Sequence, residues 1–190
     1  MTVGVLALQG AFKAHADKLT ELGVDVAEVR LPGHLDEVDA LIMPGGESTT
    51  MSMLLESSGL FDPLAARIAD GMAVFGTCAG LILLAEEIQD GRPDQRSFGR
   101  FDISVQRNGY GRQIESFETQ LETTVTEEPV HAVFIRAPRI LRLGDDVEIL
   151  ATERDEAVLI RSGNAMGAAF HPELANDARI HSLFLESIAY

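Results

Sequence analysis

Cys78 is the only cysteine in this 190-residue chain, and it stands in the run Gly76-Thr77-Cys78-Ala79-Gly80. An apolar run, Met72 to Phe75, comes before it and another, from Leu81, comes after. Small residues on both sides of a nucleophile allow a sharp strand-to-helix turn that lifts the side chain above the edge of a sheet. A helix starting at Ala79 aims its positive end at the sulfur and favours thiolate. The Ala79 N–H then points into the same space, as one half of an oxyanion hole. A lone cysteine is ordinarily a small buried hydrophobe. The flanking glycines, after a buried strand and before a helix, set this one apart.

A cysteine nucleophile needs a base, and the chain offers His15, His34, His131, His171 and His181. Four of them read as surface or satisfied core histidines; His15, close behind Gln9-Gly10, is the least settled of these. His171 differs, because it ends the apolar run Ala168-Ala169-Phe170 and continues as Pro172-Glu173. Residues two apart in extended chain point to the same side, roughly 6.6 Å apart. Glu173 can then reach the imidazole, fix its tautomer and stabilise its charged form. Pro172 fixes one backbone angle between them. Cys78, His171 and Glu173 thus make a nucleophile, base and orienting acid.

The third element is Pro44-Gly45-Gly46-Glu47-Ser48. Its glycines let backbone approach a ligand closely, and its N–H groups suit either the rest of an oxyanion hole or a substrate's polar head. No Gly-Lys-Ser/Thr ending follows, so nucleotide binding is not supported. Arg107 and Arg136 stand at strand ends, where either can hold a carboxylate by paired hydrogen bonds.

These residues need a scaffold, and the apolar patterning supplies one. Val3 to Leu8, Val24 to Val29, Ala40 to Met43 and Met72 to Phe75 read as strands. Helical segments between them cover Ala11 to Leu22, a stretch capped by Ser48 or Thr49, and a stretch opened by Asp62-Pro63; Leu81 to Ile88 reads as a fourth helix. Such alternation predicts an α/β fold with a largely parallel sheet, whose ligands bind at the carboxyl ends of the strands. The second half reads as strands at 103–106, 131–135, 147–151, 157–161 and 165–170, with a possible hairpin turn at Asn108-Gly109 and a closing helix from Asn176 to Ala189.

The length fits one domain, 1–190, and a chain of this size buries about 70% of its unfolded surface without a disulfide or metal. Hydrophobic residues make up 46% and charged residues 24%, as in ordinary globular proteins. A net charge of −15 repels phosphate backbones and argues against nucleic acid. No apolar run approaches a membrane span of roughly 20 residues. One cysteine and no positively flanked leader suit a cytoplasmic protein.

The Cys78 and Phe170-His171-Pro172-Glu173 segments resemble the class I (triad) glutamine amidotransferases. Within that class the chain is most similar to the glutaminase subunits of pyridoxal phosphate synthase. That narrower resemblance rests on Leu8-Gln9-Gly10-Ala11, on Pro44-Gly45-Gly46-Glu47-Ser48-Thr49-Thr50-Met51, and on Arg107-Asn108 with Gly111-Arg112-Gln113. It rests also on Ser116-Phe117-Glu118 and on Phe134-Ile135-Arg136-Ala137-Pro138. Gly109-Tyr110 departs from the relatives, which often carry a serine and an aromatic there.

The resemblance implies a three-layer, flavodoxin-like fold with additional antiparallel strands in the second half. It implies Cys78 as nucleophile, His171 as base, Glu173 as orienting acid, and glutamine contacts from Gly46, Glu47, Ser48, Arg107, Ile135 and Arg136. With Gly46 and Ala79 supplying the oxyanion hole, L-glutamine would be hydrolysed to glutamate and ammonia without cofactor or metal. The ammonia would pass to a synthase subunit in a hetero-oligomeric complex, with the Leu8-Gln9-Gly10 loop near both the site and the interface. Two other readings stay open: a glutaminase serving histidine or tryptophan synthesis, and a non-enzymatic cysteine-bearing redox or stress-binding domain. The second has no need of a His-Pro-Glu base pair.

Overall fold

The computed structural model describes residues 1–107 and 116–188. The Asn108-Gly109 turn and the Gly111-Arg112-Gln113 segment lie outside them. The chain runs β1 (Thr2–Leu6), α1 (Phe12–Glu21), β2 (Asp25–Val29), β3 (Ala40–Met43), α2 (Ser48–Ser57), α3 (Phe61–Ala69), β4 (Ala73–Thr77) and α4 (Ala79–Leu84). It continues through β5 (Ala85–Ile88), β6 (Phe101–Gln106), β7 (Ser116–Leu121), β8 (Val130–Ile135), β9 (Arg139–Leu143), β10 (Glu148–Glu153), β11 (Glu156–Ser162), β12 (Ala165–Ala168) and α5 (Arg179–Ile188).

Seven strands form the central sheet in the order β10-β11-β12-β4-β3-β1-β2. From β12 to β2 all neighbours are parallel, while β11 and β10 add antiparallel pairings at the far edge. Strands β3, β4 and β12 are buried at every residue, as parallel strands covered on both faces must be. The period of two is visible in β4. Phe75 and Thr77 face α1 and α5, where they meet His15 and His181. Gly76, between them, faces α4. Helices therefore cover both sides of the sheet, giving three layers. Two small sheets, β5-β6-β9 and β7-β8, complete the second half.

Local chemistry moves several boundaries. The segment expected as one helix over Leu81 to Ile88 divides: α4 ends at Leu84, and Ala85 to Ile88 runs as β5 beside β6. All six residues of α4 are buried, so a continued helix would carry Glu86 and Glu87 into apolar surroundings. As a strand, the segment leaves both exposed, and Glu86 pairs with Arg142 at 2.9 Å. The cap of α2 is Glu47, whose carboxylate accepts from the N–H groups of Thr49 and Thr50, and not Ser48 or Thr49. Helix α3 begins at Phe61, ahead of the Asp62-Pro63 pair expected to open it, so Pro63 is its third residue. Among the described residues, no helix is long and apolar enough to cross a membrane.

Candidate active site

Three adjacent strands bring the chemistry to one edge. Strand β4 lies between β3 and β12, with Met43 opposite Gly76 and Ala168 opposite Thr77. The segments leaving their carboxyl ends are Pro44-Gly45-Gly46, Cys78, and Ala169-Phe170-His171. At Cys78 the backbone turns abruptly. Its φ is +48°, a conformation that costs a non-glycine residue of order 1–3 kcal/mol and persists only when its surroundings impose it. Here the Cys78 N–H donates to the Ala168 carbonyl at 2.8 Å, while the Cys78 carbonyl accepts from Ile82 at 3.1 Å to start α4. The turn is so tight that a Cβ on Gly80 would collide with the Met43 carbonyl oxygen, and one on Gly76 would lie 2.6 Å from the Gly80 backbone.

His171 follows β12 and is tied to β8 by its N–H, which donates to the Val133 carbonyl at 2.8 Å. The extended path expected through Pro172 to Glu173 is not what forms. Pro172–Leu174 winds into a 3-10 turn, which shortens the span and brings His171 Nδ1 to 2.8 Å from Glu173 Oε1. With Nδ1 engaged, Nε2 is left for the sulfur, and His171 and Cys78 line the same cleft. Gly45 makes room for this, since a Cβ there would collide with the imidazole. Burial opposes a charged imidazole, yet hydrogen bonds to Cys78 and Glu173, with their charges, carry the His171 pKa up to about 10. Burial also opposes charge on Glu173, but the hydrogen bond from His171 and the neighbouring imidazoles hold its pKa below the usual carboxylate range.

A cleft of about 300 Å³ opens over the sulfur, lined by Gln9, Gly46, Glu47, Ser48, Cys78, Ile82, Arg107, Ile135, Arg136 and His171. The Ile135 carbonyl lies 4.0 Å from Cys78 Sγ. Arg136 turns away from β8 at φ +43°; among the described residues its guanidinium has no ion-pair partner. Arg107 is paired, its Nη2 donating to Glu47 Oε1 at 2.6 Å. Burial opposes charge on Glu47, but the Thr50 hydroxyl, the Thr50 and Thr49 N–H groups and Arg107 bring its pKa down to about 2. Ser48 Oγ is buried without a hydrogen-bond partner among the described residues. The Leu8-Gln9-Gly10 loop is bonded to the Gly-Gly segment at two points. Ala11 N–H donates to the Gly45 carbonyl at 3.2 Å and Glu47 N–H to Gln9 Oε1 at 3.0 Å.

The structure thus brings Cys78, His171, Gly46, Glu47, Ser48, Arg107, Ile135 and Arg136 around one cleft, with Glu173 behind His171 and Ala79 opening α4 beside Cys78. Of the other histidines, His131 pairs with Glu118 at 2.8 Å on the β7-β8 ribbon, and His34 Nδ1 lies 3.1 Å from the Glu28 carbonyl. His15 and His181 lie behind Glu173, both fully buried. Their partners stand far away in the chain, so no local pattern marks them. A larger hollow of about 500 Å³, among Asp39, Gly71, Ala73, Arg161 and Asn164, opens at the amino ends of the strands, away from Cys78. Among the described residues, no group of three or more His, Cys, Asp or Glu side chains is placed to hold a metal ion.

Residues 5–190 match the SNO glutamine amidotransferase family. The chain is 51% identical over 189 residues to a protein of Corynebacterium jeikeium named pyridoxal 5'-phosphate synthase subunit PdxT, covering 99% of this chain and 97% of that one. A protein of the same name from Herpetosiphon aurantiacus is 54% identical over 188 residues, covering 97% and 99%. A crystal structure described as a glutamine amidotransferase superposes with a TM-score of 0.93 at 48% identity, covering 99% of both chains. A glutamine amidotransferase from Thermotoga maritima shares the fold at 15% identity, with a TM-score of 0.62, covering 100% of this chain and 84% of that one.

Proposed function

The chain belongs to the SNO glutamine amidotransferase family, and we propose that it is the glutaminase subunit of a pyridoxal 5'-phosphate synthase, a single catalytic domain working in the cytoplasm. The observation that carries this reading is the meeting of Cys78, His171 and Glu173 beneath a cleft that presents both a carboxylate and guanidinium groups. L-glutamine is a zwitterion with a neutral amide at its far end. Glu47 and the arginines Arg107 and Arg136 offer opposite charges to its α-amino and α-carboxylate groups, with Gly46, Ser48 and Ile135 completing the contacts. The amide is then directed at the sulfur.

In this mechanism the Cys78 thiolate attacks the side-chain carbonyl carbon. The N–H groups of Gly46 and Ala79 hold the oxygen as it gains charge. His171, kept protonated by its two neighbours, gives its proton to the departing nitrogen, and ammonia leaves a thioester on Cys78. His171, now neutral, draws a proton from water, which attacks the thioester and releases glutamate. Glu173 holds the imidazole in one tautomer throughout. Neither a cofactor nor a metal enters these steps.

The ammonia passes to a synthase subunit in a hetero-oligomeric complex, and the Gln9 loop, bonded to Gly45 and Glu47, links the site to that partner. The shared name of the relatives favours pyridoxal phosphate over another acceptor. A glutaminase assay with and without that synthase subunit tests the reading. Ammonia release that rises on mixing, together with pyridoxal phosphate formation, is expected. Release in neither case would end it.

A further inference from the structure

Glu173 has a second side that the proposed reaction does not use. Its Oε1 accepts from His171, but Oε2 is buried with no hydrogen bond of good geometry among the described residues. The group facing it is His15 Nε2, at 3.4 Å. The same nitrogen lies 3.1 Å from Thr77 Oγ1, next to the nucleophile, and His15 Nδ1 lies 2.9 Å from His181 Nε2 on α5. Phe75 packs against both imidazoles in T-shaped contacts, and both histidines are fully buried.

The proton positions in this cluster follow by elimination. At 2.9 Å one of the two facing nitrogens must donate and the other accept. If His15 donated from Nδ1, its Nε2 lone pair would face the Glu173 carboxylate. His181 would then carry its proton on Nδ1, which has no partner among the described residues; a buried N–H without an acceptor is rare. If His181 Nε2–H donates instead, its bare Nδ1 is only an unused acceptor. His15 is then protonated on Nε2, and that N–H bonds to Thr77 Oγ1 while turning its positive end to Glu173 Oε2 at 3.4 Å. Only this arrangement turns a donor toward every acceptor in contact.

We infer that His15, with its tautomer fixed by His181, is a positioning residue that holds the far oxygen of Glu173 and so keeps His171 aligned on Cys78. The inference rests on the glutaminase reading above. Both imidazoles must stay neutral for it, and their surroundings favour this. Burial lowers His15 to about 4, against the pull of Glu173 and with repulsion from His171. Burial, with His15 and Lys18 adding to it and Asp177 opposing, lowers His181 to about 3. The groups facing the pair are therefore Glu173 from the 3-10 turn, His171 just before it, Thr77 from β4, Lys18 from α1, and Asp177 before α5.

The test measures ammonia release over a range of pH by the complex with the synthase partner, for wild type, His15→Leu and His15→Gln. His15→Leu leaves Glu173 Oε2 without a donor, so its carboxylate is harder to keep charged. The expected result is a kcat lower by up to about 10²-fold, as misplacement of a reacting group gives, with KM little changed. The acid limb of the profile moves up by about one pH unit, as loss of one N–H dipole facing a buried carboxylate gives. His15→Gln, which can still present an N–H, recovers most of both. His181→Leu moves the limb in the same direction by less, and it serves where His15→Leu does not fold.

An unmoved limb in a folded His15→Leu or His181→Leu protein overturns the inference, as does a glutamine variant no better than leucine. Nitrogen-15 spectra of the wild-type histidines give an arm independent of activity. Both residues are expected as Nε2–H tautomers near neutral pH, and an Nδ1–H tautomer at His15 overturns the proposal. Absence of ammonia release by the wild-type complex would instead sink the glutaminase reading, and the spectra would still decide this one.

Discussion

The two sides of the cleft solve different problems with similar parts. Behind the sulfur lie His171, Glu173, His15, His181 and Thr77, nearly all shut off from water. Across the opening, Glu47 and Arg107 form an ion pair with side-chain exposures of 44% and 20%. On the buried side, contact decides charge: His171 is driven to about 10 by its neighbours, while His15 falls to about 4. Two imidazoles flanking one carboxylate so acquire opposite charge states. On the open side, water screens the charges, and Glu47 keeps its charge through a helix cap and an arginine. The reacting groups are held by burial, whereas the recognising groups remain reachable by a soluble substrate.

The sharpest way to separate the two sides is to remove the sulfur. Cys78→Ala should lower ammonia release on the order of 10⁴-fold or more and leave binding of the synthase partner intact, as measured by assay and by co-purification. Gly45→Ala attacks the geometry without touching a reacting atom. Its Cβ would displace the His171 imidazole, and a misplacement of that kind costs roughly 10²-fold in kcat. Wild-type turnover in either protein breaks the account of the buried side.

Arg107→Ala probes the open side. It should raise KM for glutamine about tenfold or more, as loss of a charged hydrogen bond does, with kcat less affected; the reverse pattern would place Arg107 in the chemistry. Two smaller effects read the charges. In Cys78→Ala, His171 loses the sulfur that holds its proton, so its titration, followed by proton NMR, should fall well below about 10. The raised His171 pKa adds stability fully present below about 6.5 and lost as pH rises through about 10, and this alkaline loss should shrink in the variant. The lowered Glu47 pKa works in the other direction. Its contribution is present above about 4.5 and lost as pH falls toward about 2. Glu47→Ala, which removes the α2 cap, should cost about 0.5–2 kcal/mol in denaturant unfolding at neutral pH, a loss that fades in acid.

The division also explains what the sequence disclosed. Strands β3 and β4 are read from short apolar runs because burial on both faces demands such runs. Gly76 and Gly80 are legible because a sharp turn admits no Cβ. Cys78, His171 and Glu173 carry chemistry in their residue types. Arg107 and Arg136 are legible only as charges at strand ends, since any surface arginine looks the same in sequence, and the roles of Glu47 and Ile135 came from resemblance alone. The compact turn at Pro172–Leu174 escaped an extended reading because one proline fixes only one angle. Strands β7 and β9 were missed because half-exposed strands carry polar residues such as Glu118, Gln120 and Arg142. The pairing of His15 with His181 spans 166 positions, and no local pattern encodes it.

The bond from the Cys78 N–H to the Ala168 carbonyl has one more consequence. It extends the ladder joining β4 and β12 by one rung, and His171, three residues past Ala168, is tied in turn to β8 through Val133. Thermal loosening of the surface can loosen the grip on glutamine, but displacing Cys78 requires unzipping the sheet near its centre. Amide exchange should accordingly be slowest at Cys78 and its strand neighbours, and electrophile capture at Cys78 should persist on warming until the whole molecule melts.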